Sequence, residues 1–253
     1  MKKVKVIKIG GKIIDDARKM NKFLDQFARL EGPKILIHGG GNMASRIGKE
    51  MGIIPNMIDG RRVTDKETLE VVSMVYGGLV NKRLVAALQK KGVNAMGLTG
   101  ADADIIRSKK RSKKPVDFGF VGDITSVNTK RLKSIMKSGI VPVIAPLTHD
   151  GKGQMLNTNA DTIAAHIAIA FGETGSTSLQ YYFDMKGVMN GKSVMEILST
   201  DDYHALKANG KVSDGMIPKL DTAFHALTSG VKSVRIAGHQ YLNQVEGGTY
   251  LLL

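Results

Sequence analysis

The chain has 253 residues, 42% of them hydrophobic but only 5% aromatic, no cysteine, and a formal net charge of +14. That length suits one large α/β domain or two fused lobes with an aliphatic core, and the missing thiols exclude disulfides and thiolate metal sites. There is no apolar run of roughly 18 residues and no signal-peptide pattern, so the chain is expected in the cytoplasm with no membrane partner. Val4–Ile9 reads as a buried strand, and Asp15 or Asp16 caps a helix to about Leu30 with Phe23 and Phe27 inward. A second strand, Lys34–Ile37, leads into a triple glycine and a short helix from Met43 to Met51. Thr64 and Glu67 form a capping box for a longer helix that reaches Lys91 and closes at Gly92. That helix is apolar on more than one side, which fits either a central core helix or a subunit interface.

Further on come a strand at 95–98, a basic hairpin at about 104–121, a helix at 129–138 and a strand at 140–145. A helix at 161–171, a strand at 179–183 and helices at 201–208 and 215–228 follow, then strands at 234–236 and 249–252. Strands separated by helices predict a mostly parallel sheet covered on both faces. The small-residue stretch at 172–178 is the expected division between two lobes, 1–174 and 175–253.

The positive charge raises nucleic-acid binding as a function. The lysines and arginines are scattered, however, and no basic helix carries interleaved aromatics. The one dense cluster, Arg107–Lys114, stops at Pro115 between two apolar segments and reads as a solvated hairpin tip. A basic surface that attracts anionic small molecules is the expectation, with nucleic acid disfavoured.

Three distant segments carry chemistry. Lys8-Ile9-Gly10-Gly11 and His38-Gly39-Gly40-Gly41 each follow an apolar strand, and Asp214-Gly215-Met216-Ile217-Pro218-Lys219 opens a late helix. Strand, glycines, then helix turns bare backbone N–H groups toward an anion, and glycine lets a phosphate approach the main chain. Two lysines add mobile positive charge. Such a site suits phosphoryl transfer, where positioning and charge stabilisation do most of the catalysis. Lys219 lies near a helix N-terminus, a poor place for a cation on dipole grounds unless function demands it. His38 reads as a packing residue, because transfer to an ionised carboxylate removes no proton.

Together with Gly60-Arg61-Arg62-Val63-Thr64-Asp65 and Asn157-Thr158-Asn159-Ala160-Asp161, these segments occur in the order and at the spacing of the amino-acid kinase family, which the chain resembles over nearly its whole length. Within that family it is most similar to the branch that phosphorylates N-acetylglutamate, the second step of arginine biosynthesis. The resemblance implies a three-layer α/β/α sandwich with a mostly parallel central sheet, like carbamate kinase. It implies an N-terminal lobe for the acylglutamate and dimerisation, and a C-terminal lobe for ATP. Lys8 and Lys219 would be the catalytic lysines, with Asp161 between them keeping both charged and aimed; Asp161 also reads as an N-cap for the helix it begins. Backbone N–H groups at Gly10, Gly11 and Gly40 would stabilise the equatorial oxygens. Arg62 would hold the substrate's α-carboxylate, although Arg61 beside it competes for that reading. Gly40, Gly41, Asn157 and Asn159 would complete the substrate site. Asp184, Gly187, Met189, Gly215 and Met216 would serve the nucleotide. Mg²⁺ is implied with ATP and is held by phosphates and water, with no protein ligand assigned.

The strand Leu179-Gln180-Tyr181-Tyr182-Phe183-Asp184 departs from the family's more aliphatic strand, which usually ends in Thr-Asp or Ser-Asp. No N-terminal helix precedes Val4, which implies a homodimer without arginine feedback. The alternatives are an N-succinylglutamate kinase, a sibling kinase acting on carbamate, aspartate, a nucleoside monophosphate or a carrier-linked amino acid, and a nucleic-acid-binding regulator on the same fold.

Overall fold

The computed structural model describes residues 3–58, 60–173, 175–212 and 215–253. Asp214 of the last motif and Thr174 at the expected lobe boundary lie outside the described residues.

An eight-stranded sheet organises the molecule, in the order Ile197–Ser199, Thr249–Leu252, Ser233–Gly238, Thr177–Phe183, Val4–Ile9, Lys34–His38, Val141–Ile144, Ala95–Leu98. Every neighbouring pair is parallel except Ser233–Gly238 with Thr249–Leu252. The inner strands are near-continuous aliphatic or aromatic runs, as parallel strands covered on both faces require. The expected three-layer α/β/α sandwich is therefore present, and the sheet crosses from residues 4–9 to residues 177–183 without interruption.

Alternation along the strands decides what meets what. Val4 and Val6 enter the core under the helices Ala160–Gly172 and Ile217–Thr228, whereas Ile7 and Ile9 enter the opposite core, under Ala17–Arg29 and the helix that begins at Lys66. Period two thus sends Lys8 toward the Ala160–Gly172 side. Leu179, Tyr181 and Phe183 share that side and Tyr182 faces away. Lys8 pairs with Tyr181 in register, so the two strands present their C-terminal ends together.

Most expected helices form where their caps stand. Asp16 caps Ala17–Arg29, accepting from the N–H groups of Arg18 and Lys19 at 2.9 and 3.1 Å. Two caps differ from expectation. Asp65, not Thr64, caps the long helix, accepting from Thr68 N–H at 2.8 Å. Thr64 is displaced from that role because its backbone joins the hairpin: its N–H donates to Phe118 O at 2.9 Å and its carbonyl accepts from Phe120 N–H at 2.6 Å. Asn159, not Asp161, caps Ala160–Gly172, which leaves the Asp161 carboxylate free for another partner.

The long helix runs through Lys66–Val72, a π-helical stretch Ser73–Val80, and Asn81–Lys90. By length and composition this 25-residue segment would pass for a membrane span. Its Leu69, Val72, Val75, Tyr76, Val80, Leu84 and Leu88 are instead buried in the core, and Met74 is exposed.

Leu147–His149 and Met155–Asn157, two short strands the periodicity missed, join the hairpin strands Ile106–Lys110 and Gly122–Val127 in a four-stranded sheet. The basic cluster begins on a strand of this hairpin rather than at its tip alone. Arg107 is held by Asp104 at 2.7 Å and Arg111 by Asp123 at 2.6 Å, so the hairpin's own acids offset part of the charge.

Candidate active site

Lys8 is the penultimate residue of the central strand, buried at 5% exposure, with its Nζ 2.7 Å from Asp161 Oδ1. Lys219 Nζ, on the first turn of Ile217–Thr228, lies 3.9 Å from Asp161 Oδ2 and donates to Gly215 O at 3.1 Å. One carboxylate therefore spans two ammonium groups contributed by opposite ends of the chain. Burial pushes the Lys8 pKa down, Asp161 pulls it back up, and Lys219 lowers it further. Desolvation disfavours the charged form and the adjacent carboxylate favours it.

The two glycine loops meet beside this cluster. A Cβ on Gly11 would sit 3.6 Å from Gly40 N and 3.9 Å from Gly41 N, and one on Gly39 would sit 3.3 Å from Gly11 N. Gly11 and Gly41 are first residues of helices, so their N–H groups have no intrahelical acceptor. Gly40 has φ +158°, and a Cβ there would lie 3.1 Å from the Tyr76 ring. Gly10 corrects one expectation: its N–H donates to Tyr182 O at 2.8 Å and is not available to a phosphate. Its glycine is needed for close approach instead, since a Cβ would meet Phe183 Cδ1 at 3.1 Å and Tyr182 O at 3.3 Å.

Arg62, rather than the exposed Arg61, turns to the second loop and donates to Gly41 O at 3.0 Å and Ser45 Oγ at 2.7 Å. Asn157 Nδ2 donates to Thr64 Oγ1 at 3.0 Å, and that hydroxyl reaches Arg62 O at 3.3 Å. Arg62, Asn157 and the second glycine loop are thereby tied into one region. The Asn159 side-chain oxygen is occupied as the helix cap, at 2.7 Å from Asp161 N and 3.1 Å from Thr162 N. In the predicted nucleotide loop, Asp184 and Met189 are exposed. Gly187 is buried, and a Cβ there would lie 2.6 Å from Val194 Cγ1. Gly215 is exposed, and Met216 is buried as the residue before the Lys219 helix.

His38 is fully buried, as a packing residue should be. Its Nδ1 faces Gly39 O at 2.8 Å as donor, so Nε2 accepts from Asn81 Nδ2 at 3.1 Å. Burial pushes its pKa from the ordinary 6.5 down to about 4. The unfolded chain binds a proton here at higher pH than the folded one. Stability from this group is therefore complete above pH 6.5 and is lost as pH falls toward 4, by about 3 kcal/mol in total. Urea unfolding midpoints across that range should show the loss in the native chain, and His38→Gln should flatten it. An unchanged slope in the variant would remove His38 from the acid lability.

Two residues beside the cluster were not singled out as site residues in the sequence. Phe183 and Tyr181 were visible only as an unusually aromatic strand end, without the register needed to place them. Among the described residues, no group of three or more His, Cys, Asp or Glu could hold a metal ion. The carboxylate in the cluster is engaged by lysine, 2.7 Å from Lys8 Nζ.

A parallel α/β/α sandwich whose strand ends carry two glycine loops and a Lys–Asp–Lys cluster has the layout of a phosphotransferase. Residues 3–238 match the amino acid kinase family, and the chain belongs to that family. It is 49% identical over 249 residues to the acetylglutamate kinase of Phocaeicola vulgatus, covering 97% of each chain. It is 50% identical over 241 residues to that of Cytophaga hutchinsonii, covering 93% of this chain and 91% of the relative. Among solved structures, smu.665 from Streptococcus mutans superposes with a TM-score of 0.85 at 26% identity, covering 99% of both chains. Carbamate kinase from Giardia shares the fold at a TM-score of 0.70 and 13% identity, covering 99% of this chain and 98% of that one.

Proposed function

We propose that the protein transfers the γ-phosphoryl group of ATP to the side-chain carboxylate of N-acetyl-L-glutamate, giving N-acetylglutamyl 5-phosphate and ADP in cytoplasmic arginine biosynthesis. The observation that carries this reading is near-half identity to acetylglutamate kinases along almost the entire chain, combined with an intact Lys8–Asp161–Lys219 cluster.

In this reading a carboxylate oxygen of the substrate attacks the γ-phosphorus in line, and the bond to the β–γ bridging oxygen breaks with its electron pair leaving on ADP. No proton needs to move, which agrees with a neutral, inward-facing His38. Lys8 and the N–H groups of Gly11, Gly40 and Gly41 stabilise the transferring oxygens. Lys219 offsets charge on the leaving side, and Asp161 keeps the two ammonium groups from repelling each other apart. Arg62 and Asn157 position the acylated amino acid, with Asn159 holding the helix that carries Asp161. Mg²⁺, if bound, would be held by ATP's phosphates and water rather than by these residues and would supply charge neutralisation there. Residues 1–174 take the acylglutamate and residues 175–253 the nucleotide. The exposed flank of the long helix, with Met74 at 52% exposure, forms the homodimer contact.

Acyl phosphate trapped as hydroxamate tests the reading, with N-acetylglutamate and N-succinylglutamate compared as substrates. ATP-dependent turnover should favour the acetyl substrate in kcat/KM. A preference for succinyl above about a hundredfold, roughly 2.7 kcal/mol, would reassign the acyl group. No turnover with either would point to a sibling kinase substrate.

A further inference from the structure

We propose that Phe183 is a positioning residue whose ring face holds both lysine ammonium groups of the transfer site in their converging pose. Lys8 Nζ lies 4.6 Å from the ring centroid and Lys219 Nζ lies 5.4 Å from it. Both distances fall within the reach at which the negative face of an aromatic ring attracts a cation. Phe183 is 8% exposed, so water competes little for that attraction. It stacks on Tyr181, with centroids 6.1 Å apart and planes within 7°, and the Tyr181 hydroxyl donates to the Asp161 carbonyl at 3.0 Å. One pair of aromatic rings on a single strand therefore touches all three members of the cluster. Gly10 lies against the same ring, where a Cβ would come within 3.1 Å.

The charge balance explains the need. Asp161 supplies one negative charge to two ammonium groups. A second carboxylate would complete the balance but would also repel the incoming phosphates and occupy lysine N–H donors. A ring face attracts both ammonium groups while leaving their directional hydrogen bonds for phosphate oxygens. The titratable groups around the ring are Lys8 on the central strand, Asp161 and Lys219 on the two covering helices, Tyr181 on its own strand, and the exposed Asp184 that follows it. The role rests on the kinase reading, but the geometry can be tested without turnover.

The test replaces Phe183 by phenylalanines carrying increasing numbers of ring fluorines, which keep the shape and progressively cancel the negative face. Lys8 and Lys219 are titrated by NMR of their ¹³Cε carbons in the full chain without substrate, the signals being assigned by their loss in Lys8→Arg and Lys219→Arg. Both titration midpoints should fall stepwise, by about one pH unit across the series. The basic limb of kcat/KM should fall with them. Phe183→Tyr should retain the native midpoints and Phe183→Leu should show the full drop. If Phe183→Leu does not fold, the fluorinated series still decides the matter. Midpoints that stay constant across the series would overturn the proposal. A shift in the midpoints with no turnover on any acylglutamate would uphold it while defeating the substrate assignment.

Discussion

Asp161→Ala is expected to lower kcat by about three orders of magnitude and to destabilise the fold by roughly 3–5 kcal/mol. Asp161 is 6% exposed and its carboxylate lies 2.7 Å from one ammonium and 3.9 Å from another. Its removal leaves Lys8 buried beside Lys219 with no counter-charge. A buried ion stripped of its partner costs far more than the pair contributes, because the desolvation penalty stays and the attraction goes. Lys8 would respond by giving up its proton, its pKa being already lowered by burial and by Lys219. The site would then lose the charge that phosphoryl transfer needs. Asp161→Asn separates the two effects: it keeps the shape and should recover part of the stability while kcat stays low. Steady-state hydroxamate formation and urea midpoints on both variants make the comparison. An Asn variant that keeps more than about a tenth of native kcat would show that the carboxylate's charge is dispensable.

Lys8→Ala should lose activity to a similar degree but stability far less. The loss in kcat should be about 10²–10³-fold, the usual result of removing one donor aimed at developing charge. The loss in stability should be much smaller than for Asp161→Ala. Asp161 would still have Lys219 nearby, a residue with 31% side-chain exposure on a flexible four-carbon stem that can close the remaining distance. Burial is the largest influence on Lys8, so deleting it also removes a desolvation cost. The sign of the pH dependence follows. Between the lowered folded-state pKa and the ordinary 10.5, the unfolded chain holds more protons at Lys8. Native stability should therefore rise with pH in that window, and the rise should vanish in Lys8→Ala. Catalysis runs the other way, because it uses the charged form, so native turnover should fall at a pH below the ordinary lysine range. A Lys8→Ala chain destabilised as severely as Asp161→Ala would contradict the claim that Lys219 can replace it as partner.

Signals between neighbours in sequence are mostly legible, although the cap of Ala160–Gly172 falls to Asn159 rather than to Asp161 two residues on. Asp16 caps its helix because the acceptor and its N–H donors lie within three residues of each other. The strand–glycine–helix turns at Gly11 and Gly41 formed for the same reason. Reading failed where a distant segment competed. Thr64 has the chemistry of an N-cap, yet its backbone is claimed by Phe118 and Phe120, and the cap passes to Asp65. Gly10 looked like a phosphate donor, yet its N–H continues the ladder to Tyr182. The short strands at 147–149 and 155–157 have too few residues to show a period, and only their pairing reveals them.

Order, spacing and residue type already contained the alternation of strands and helices, the two glycine loops, the lysines and the carboxylate, since each depends on apolar periodicity, backbone freedom or charge within a few residues. Convergence is a different kind of fact. Lys8, Phe183, Asp161 and Lys219 meet because parallel pairing sets Lys8 opposite Tyr181 and because alternation turns residues 8, 181 and 183 to one face. Two crossover helices then lower their first turns onto that face. Registers and crossovers are properties of the folded sheet, so the aromatic platform beneath the lysines could be found only there.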